Sequence, residues 1–153
     1  MKRSLKIQKL IDDLGLTALY ECQKKEISID TSELNRPGLQ MCGFFEYFAV
    51  NRVQLFGMAE MTYLQNMDPI LRKQRLEMYF QKPIPAVLIA RNLMPPEDFL
   101  ECAKKYDVPV LMSGITTTKL SHMTTLYLDR ELAPCIARHG GLMDVYGVGI
   151  FIT

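Results

Sequence analysis

The sequence predicts a single, three-layer-like α/β domain built on a mostly parallel sheet. Two short, continuous apolar runs, 86–90 and 108–112, suit strands that are buried on both faces. Each run is followed by a segment with helical spacing, and this alternation implies parallel strands joined by right-handed crossovers. A chain of 153 residues has room for one domain with a real core, and no repeat, low-complexity tract or flexible linker interrupts the pattern.

The first half of the chain contains weaker but readable signals. Apolar residues from Ser4 to Leu16 recur at helical spacing, and Gly15 is a helix stop signal. Residues 26–30 alternate between polar and apolar, as in a half-buried strand. The Pro-Gly pair within 35–38 predicts a turn, because proline fixes φ and glycine permits a positive φ. Residues 52–57 are typical of a short strand that ends in glycine.

The second half is more regular. Two helices are predicted over 60–67 and 70–80, separated by an Asp-Pro pair. Two prolines followed by two acidic residues then open a helix that runs to about Tyr106, with the acids near the positive end of its dipole. The next helix covers 116–132 and has three threonines at its start, any of which can serve as its cap.

The last residues of the sequence are the most informative. Val148 to Ile152 is an apolar run punctuated by glycine and is typical of a buried strand. A strand of this kind followed by G-x-x-x-x-G-K-[ST] and a helix makes a P-loop, and that motif is absent from the 153 residues. We therefore expect the sequence to stop just before a phosphate-binding loop. Residues 1–132 would form the α/β domain, and 133–153 a connection and the first strand of a second domain.

Composition and cysteine spacing exclude several classes of protein. A formal net charge of +1 gives no reason to expect a nucleic-acid or membrane surface. No apolar run approaches the roughly 20 residues of a membrane span, and polar residues interrupt any signal-peptide core, so a cytoplasmic location is expected. Four widely spaced cysteines without a C-x-x-C pair predict reduced, mostly buried thiols and no metal site.

Two segments contain residues that could bind an anion such as phosphate. His139 stands before two glycines, where a backbone can approach a ligand closely, and it is either a surface loop residue or a phosphate contact. Thr116, Thr117 and Lys119 stand at a predicted helix start. They could bind an anion through backbone N–H groups and the helix dipole, or the threonines could simply cap the helix.

Two arginines and a second histidine complete the candidates. Arg36, in the predicted turn, and Arg52, before the next predicted strand, could bind a negatively charged small molecule or a partner, although surface arginines are common. His122 lies inside a predicted helix and is interpreted as a solvated or packed residue. No Ser-His-Asp set, carboxylate pair or metal cluster stands out.

Several collinear motifs resemble the N-terminal domain of bacterial HPr kinase/phosphorylase. The motifs, which span nearly the whole chain, are Arg36-Pro37-Gly38-Leu39 with Gly43-Phe44-Phe45, Arg52-Val53-Gln54-Leu55-Phe56-Gly57 with Glu60, Pro95-Pro96-Glu97, Thr116-Thr117-Thr118, Leu132-Ala133-Pro134, and His139-Gly140-Gly141-Leu142-Met143-Asp144-Val145-Tyr146-Gly147-Val148-Gly149. Each motif is weak alone, and their shared order carries the resemblance.

The resemblance implies a specific function. In that family the full-length protein is a cytoplasmic hexamer that uses ATP and Mg²⁺ to phosphorylate a serine of the phosphocarrier HPr. It also removes the phosphate by phosphorolysis, and so regulates carbohydrate use and catabolite repression. The C-terminal domain holds the P-loop, and the family's active-site histidine falls on His139. The N-terminal fold is similar to the UDP-muropeptide-binding domains of Mur ligases.

The resemblance leads us to expect a regulatory and assembly domain that is inactive alone and binds neither cofactor itself. The alternatives are a stand-alone domain that senses a small molecule, and an interaction module without kinase activity. A P-loop motif directly after Thr153 in the gene would favour the first reading.

Overall fold

The structure, a computed structural model, describes residues 3–23 and 26–133. Within them, strands and helices alternate along most of the chain. In order, they are β1 (Arg3–Lys6), α1 (Ile7–Leu14), β2 (Thr17–Tyr20), β3 (Glu26–Ile29), β4 (Leu34–Asn35), α2 (Gly38–Met41), β5 (Val53–Phe56), α3 (Met58–Gln65), α4 (Pro69–Phe80), β6 (Val87–Ile89), α5 (Glu97–Lys105), β7 (Val110–Met112) and α6 (Thr117–Leu132).

A five-stranded sheet of order β2-β7-β6-β5-β4 forms the centre of the fold. The strands β4, β5, β6 and β7 are parallel, and β2 is antiparallel to β7 at the edge. The mostly parallel sheet predicted from the sequence is therefore confirmed. Each new parallel strand is added on the same side of the previous one, so right-handed crossovers place all the connecting helices on one face.

The sheet is buried on both faces, which explains the continuous apolar runs of its central strands. Along β5, Val53 and Leu55 face a core shared with α1, α6 and the small two-stranded sheet of β1 and β3. Phe56, the last residue of β5, lies in a second core shared with α2, α3, α4 and α5. Two cores on opposite faces of one sheet make the three layers that the sequence predicted.

A buried network of hydrogen bonds is centred on Gln54, beside the second core. Gln54 on β5 is fully buried, and its side-chain oxygen accepts hydrogen bonds from Asn35 at 2.7 Å and from the Tyr79 hydroxyl at 2.8 Å. Its amide nitrogen donates to the carbonyls of Arg52 and Ala49. Every polar atom of this side chain is therefore satisfied, as a buried amide requires.

Two local predictions were wrong, and one strand was missed. The residues from Ser4 to Lys6 belong to β1 and not to the first helix, because Leu5 pairs with Ile27 across an antiparallel ladder. Strand β2 was not predicted, since it is defined by its pairing with β7 and not by a pattern of its own. Gly38 begins α2 and does not have a positive φ.

Other boundaries were predicted correctly. Gly15 ends α1 in the left-handed conformation at φ 63°. The Asp-Pro pair separates α3 from α4, where the Asp68 carboxylate accepts the N–H of Leu71 as a cap. The division at residue 132 and the likeness to Mur ligase domains stay predictions. The predicted strand over 148–152 lies outside the described residues.

Candidate functional site

Because β4, β5, β6 and β7 are parallel, their carboxyl ends lie side by side along one side of the sheet. We call this row of strand ends the carboxyl edge. In open α/β sheets this edge is where ligands usually bind. Arg36 follows β4 directly, whereas Thr116, Thr117 and Lys119 follow β7. The topology therefore gathers four of the residues singled out from the sequence at one edge.

Gly57 is the point at which Arg36 and Thr117 meet. It follows β5 directly and precedes the first residue of α3. A Cβ at this position would lie 2.7 Å from Thr117 Oγ1 and 2.9 Å from Arg36 Nη2. Its φ of −117° suits any residue, so a side chain is disfavoured here by lack of space and not by the backbone conformation. A guanidinium and a hydroxyl thus lie against the same stretch of backbone.

Glu60, in the first turn of α3, fixes the orientation of Arg36. Arg36 Nε and Nη2 each donate to one carboxylate oxygen at 2.9 Å, and the Gly57 N–H donates to Oε1 at 2.9 Å. Burial alone would raise the pKa of Glu60, but the hydrogen bonds from Arg36 and Gly57 outweigh it and hold this pKa below the ordinary value of 4.5. The carboxylate is therefore charged at neutral pH.

The start of α6 adds hydrogen-bond donors to this edge. Thr116 caps the helix, since its hydroxyl accepts the N–H of Lys119 at 3.4 Å, so the capping interpretation is confirmed. The N–H groups of Thr117 and Thr118 find no acceptor within the described residues. The Lys119 side chain is exposed and forms no ion pair with any residue that the structure describes.

The loop after β6 is tied to the same edge. Arg91 and Asn92 both have positive φ, 60° and 53°, which is uncommon for residues other than glycine. Their N–H groups donate to the carbonyls of Ile115 and Ser113, each at 2.9 Å. A Cβ on Gly114 would lie 2.8 Å from Asn92 Nδ2. This loop therefore packs closely on the segment between β7 and α6.

A cavity of about 450 Å³ opens beside Arg36, between α2 and α3. Its volume is within the range of about 300–1,000 Å³ that small-molecule sites occupy. A hydrogen bond to Cys42 raises the pKa of the Tyr63 hydroxyl at its rim, so that group stays protonated. The residues that line the cavity include Arg36, Leu39, Cys42, Ala59, Glu60 and Tyr63.

Arg52 is not part of this arrangement. It precedes β5 and therefore lies at the opposite edge of the sheet. Its Nη2 pairs with Glu33 Oε1 at 2.8 Å, and its Nη1 donates to the carbonyl of Leu34 at 3.5 Å. The structure thus separates the two arginines that the sequence presented as equivalent candidates.

The sequence matches the family described as HPr Serine kinase N terminus over residues 5–128. The match spans the sheet, the cavity and most of α6. The chain belongs to this family.

Relatives of the HPr kinase family confirm the resemblance over the whole chain. HPr kinase/phosphorylase of Alkaliphilus metalliredigens is 43% identical over 99% of this chain and 49% of the relative. The protein of the same name from Clostridium beijerinckii is 44% identical over 96% of this chain and 48% of the relative. That from Listeria monocytogenes is 42% identical over 100% and 49%. The chain thus spans about half the length of the curated relatives it matches.

A solved structure shares the fold. It comprises the CBS and DRTGG domains of the regulatory region of Clostridium perfringens pyrophosphatase, in complex with the activator diadenosine tetraphosphate. The match has a TM-score of 0.55 at 13% identity and covers 78% of this chain and 46% of that one. At this identity the likeness concerns the fold alone.

The two histidines have different outcomes. His139, which by resemblance to HPr kinases is the active-site histidine, lies outside the described residues, so its role stays a prediction. His122 is exposed on α6, which confirms the interpretation as a solvated helical residue.

Gly57 and Glu60 were missed as site residues. A glycine at a strand end with a glutamate three positions later is the spacing of a capping box, and that signal was available in the sequence. The strained pair Arg91 and Asn92 had no such signal, because its conformation follows from its contacts with the next loop.

Three further properties concern metals, thiols and membranes. Within the described ranges, no group of three or more His, Cys, Asp or Glu side chains is placed to hold a metal ion. Cys22, Cys42 and Cys102 form no disulfide there, and Cys42 is exposed, contrary to the expectation of mostly buried thiols.

No helix of the same part of the chain is both long and apolar enough to cross a membrane.

Proposed function

We propose that this chain is the N-terminal regulatory and assembly domain of a bifunctional HPr serine kinase/phosphorylase. One observation carries the proposal: relatives of that name match 96–100% of this chain but only 48–49% of their own length. The matched half therefore corresponds to one part of a larger enzyme. Its substrate protein would be HPr, as the name of the relatives indicates.

The proposal assigns phosphate transfer to residues beyond those that match the family. Transfer from ATP needs a backbone cradle for the phosphates, a lysine and Mg²⁺, and this sequence contains no G-x-x-x-x-G-K-[ST] loop. ATP and Mg²⁺ would thus bind to the catalytic half, with His139 near the transferred phosphate. We further propose a cytoplasmic homo-oligomer, a hexamer as in the family, in which this domain contributes to assembly.

A regulatory role is supported by the site. The same fold occurs in the regulatory region of the Clostridium perfringens pyrophosphatase, although a shared fold does not by itself specify a function. The cavity beside Arg36 offers a place where a small molecule could act on the domain. Small-molecule sensing by a stand-alone domain is therefore retained as the second candidate function.

A chimera tests the proposal. This chain replaces the corresponding half of the Alkaliphilus metalliredigens enzyme, and kinase activity on HPr, phosphorolysis and oligomeric state are measured. We expect the chimera to assemble and to act in both directions, because this chain is 43% identical to the replaced half over 99% of its length. This chain alone is expected to show neither activity.

The matched control carries the corresponding half of the Listeria monocytogenes protein in the same enzyme. If that control assembles and is active while the chimera with this chain does neither, the proposed function is wrong. A shift in the activities when Arg36 is changed within an active chimera would support the regulatory role specifically.

A further inference from the structure

We propose that the cavity between α2 and α3 binds a small organic oxyanion, with its charged end on Arg36 and its apolar body between Leu39 and Ala59. The proposal concerns the chain itself and does not depend on the activity of the relatives. Its failure would leave the proposed membership in an HPr kinase/phosphorylase untouched and would remove only the support that the cavity gives to a regulatory role.

The ion pair at the cavity exposes its positive partner. A guanidinium has five N–H donors, and Glu60 occupies two of those on Arg36, so three have no acceptor among the described residues. The Arg36 side chain is 49% exposed, whereas that of Glu60 is 7% exposed. A ligand that enters the cavity consequently meets unused guanidinium donors, which match the planar geometry of carboxylate and phosphate oxygens.

The negative partner is already satisfied. Glu60 Oε1 accepts from Arg36 Nη2 and from the Gly57 N–H, and Oε2 accepts from Arg36 Nε. The carboxylate therefore has little capacity left for a cationic ligand. Because the same bonds hold the guanidinium in place, Arg36 presents its free edge in a fixed orientation, which lowers the entropy cost of binding.

Thr117 supplies a second polar group beside Arg36. Its hydroxyl and the Arg36 guanidinium both lie against Gly57, and the hydroxyl makes no hydrogen bond to another described residue. Thr117 is not among the residues that line the cavity, so its hydroxyl borders Arg36 on the side that packs against Gly57.

The remaining lining of the cavity is mainly apolar. Leu39 on α2 is 62% exposed and Tyr63 on α3 is 45% exposed, and Ala59 also lines the cavity. Exposed apolar side chains grouped around a concave surface are typical of a binding site. The lining therefore suits a ligand with an apolar or planar body attached to its charged group.

Titration of the chain with three probes tests the inference. Phenyl phosphate and benzoate each combine a ring with an oxyanion, and inorganic phosphate carries the charge alone. We expect saturable binding of phenyl phosphate, benzoate or both with a Kd in the low-millimolar range, at least about tenfold tighter than inorganic phosphate. The comparison of phenyl phosphate with benzoate shows whether the site prefers phosphate or carboxylate.

Three variants locate the binding. Arg36→Gln should weaken binding of the ring-bearing probe by about tenfold or more, whereas Arg52→Gln, the same change at the opposite edge of the sheet, should leave it unchanged. Ala59 is exposed, and the larger side chain of Ala59→Phe should fill the cavity. The ring-bearing probes should then bind this variant no more tightly than inorganic phosphate does. Because this position is exposed, the variant keeps the test valid even if Arg36→Gln fails to fold.

The inference is overturned if neither ring-bearing probe saturates up to tens of millimolar. It is also overturned if inorganic phosphate binds as tightly as they do, or if Ala59→Phe binds them as the unchanged chain does. Circular dichroism and thermal unfolding of each variant show that the fold is retained.

Discussion

Arg36 at the end of β4 and Glu60 in the first turn of α3 are joined by two hydrogen bonds, each 2.9 Å long. The pair links two segments that leave the sheet at its carboxyl edge, and Gly57 between them donates its N–H to the same carboxylate. Charge-assisted pairs of this bidentate form are stronger than neutral hydrogen bonds. The pair therefore sets both the local stability of this edge and the orientation of the guanidinium.

The stability of the chain should depend on Glu60 above its pKa. Glu60→Gln is expected to cost about 1–3 kcal/mol of unfolding free energy at pH 7, because it removes a charge-assisted pair. The folded-state pKa of Glu60 lies below 4.5, so its contribution is present above about pH 4.5 and is lost as the pH falls through the folded-state pKa. Urea unfolding from pH 7 down to pH 3 measures the difference.

The control for this prediction is Glu33→Gln. Glu33 pairs with Arg52, but its side chain is 68% exposed, so its loss should change stability by no more than about 1 kcal/mol. A cost of Glu60→Gln that stays constant between pH 7 and pH 3 would contradict the role of the ionised carboxylate.

Gly57 should not tolerate a side chain. Gly57→Ala is expected to destabilise the fold by roughly 1–3 kcal/mol, since its Cβ would lie 2.7 Å from Thr117 Oγ1 and 2.9 Å from Arg36 Nη2. Gly38→Ala is the matched control. No atom of the described residues lies within 4 Å of a Cβ there, so this change should be neutral or stabilise by up to about 1 kcal/mol.

A double variant identifies the cause of the Gly57 effect. Thr117→Ala removes the nearest contact, so Gly57→Ala combined with Thr117→Ala should cost less than the sum of the two single changes. Thermal or urea unfolding of the four chains gives the coupling. Strict additivity would show that the contact with Thr117 is not what excludes a side chain.

The chain alone should not act on ATP. It lacks the loop that supplies the backbone cradle and the lysine for the phosphates, so no phosphate should pass from Mg-ATP to HPr. Isothermal titration should show no binding tighter than roughly the millimolar range, about 4 kcal/mol. Tighter binding that survives Arg36→Gln would reveal a nucleotide site that this sequence does not predict.

His139 should affect catalysis and not folding. In the full-length kinase/phosphorylase that we propose, His139→Ala is expected to lower both the kinase and the phosphorylase rate by roughly tenfold or more. The reason is that a group positioning the phosphate serves both directions. Rates and melting temperature are measured on the same preparation. Full rates in a stable variant would remove His139 from the active site, and rate losses that follow a lowered melting temperature would make it structural.

Much of the fold could be predicted because its signals are local. Strands β6 and β7 are buried on both faces and therefore consist of continuous apolar residues, which makes them visible without knowledge of their neighbours. Caps at Asp68 and Thr116 depend on contacts with the next three residues and were equally readable. The helices of the second half followed from these two kinds of signal.

The sequence by itself determined the family, the parallel sheet and the residues that could bind an anion. Only the tertiary structure separated Arg36 from Arg52, because the direction of a strand decides which of its ends lies at the carboxyl edge of the sheet. It also decided that residues before Ile7 pair with β3 and that β2 joins the sheet, since these pairings depend on distant partners. Local patterns record contacts within a few residues, and the site is made of contacts between segments that meet only when the sheet is assembled.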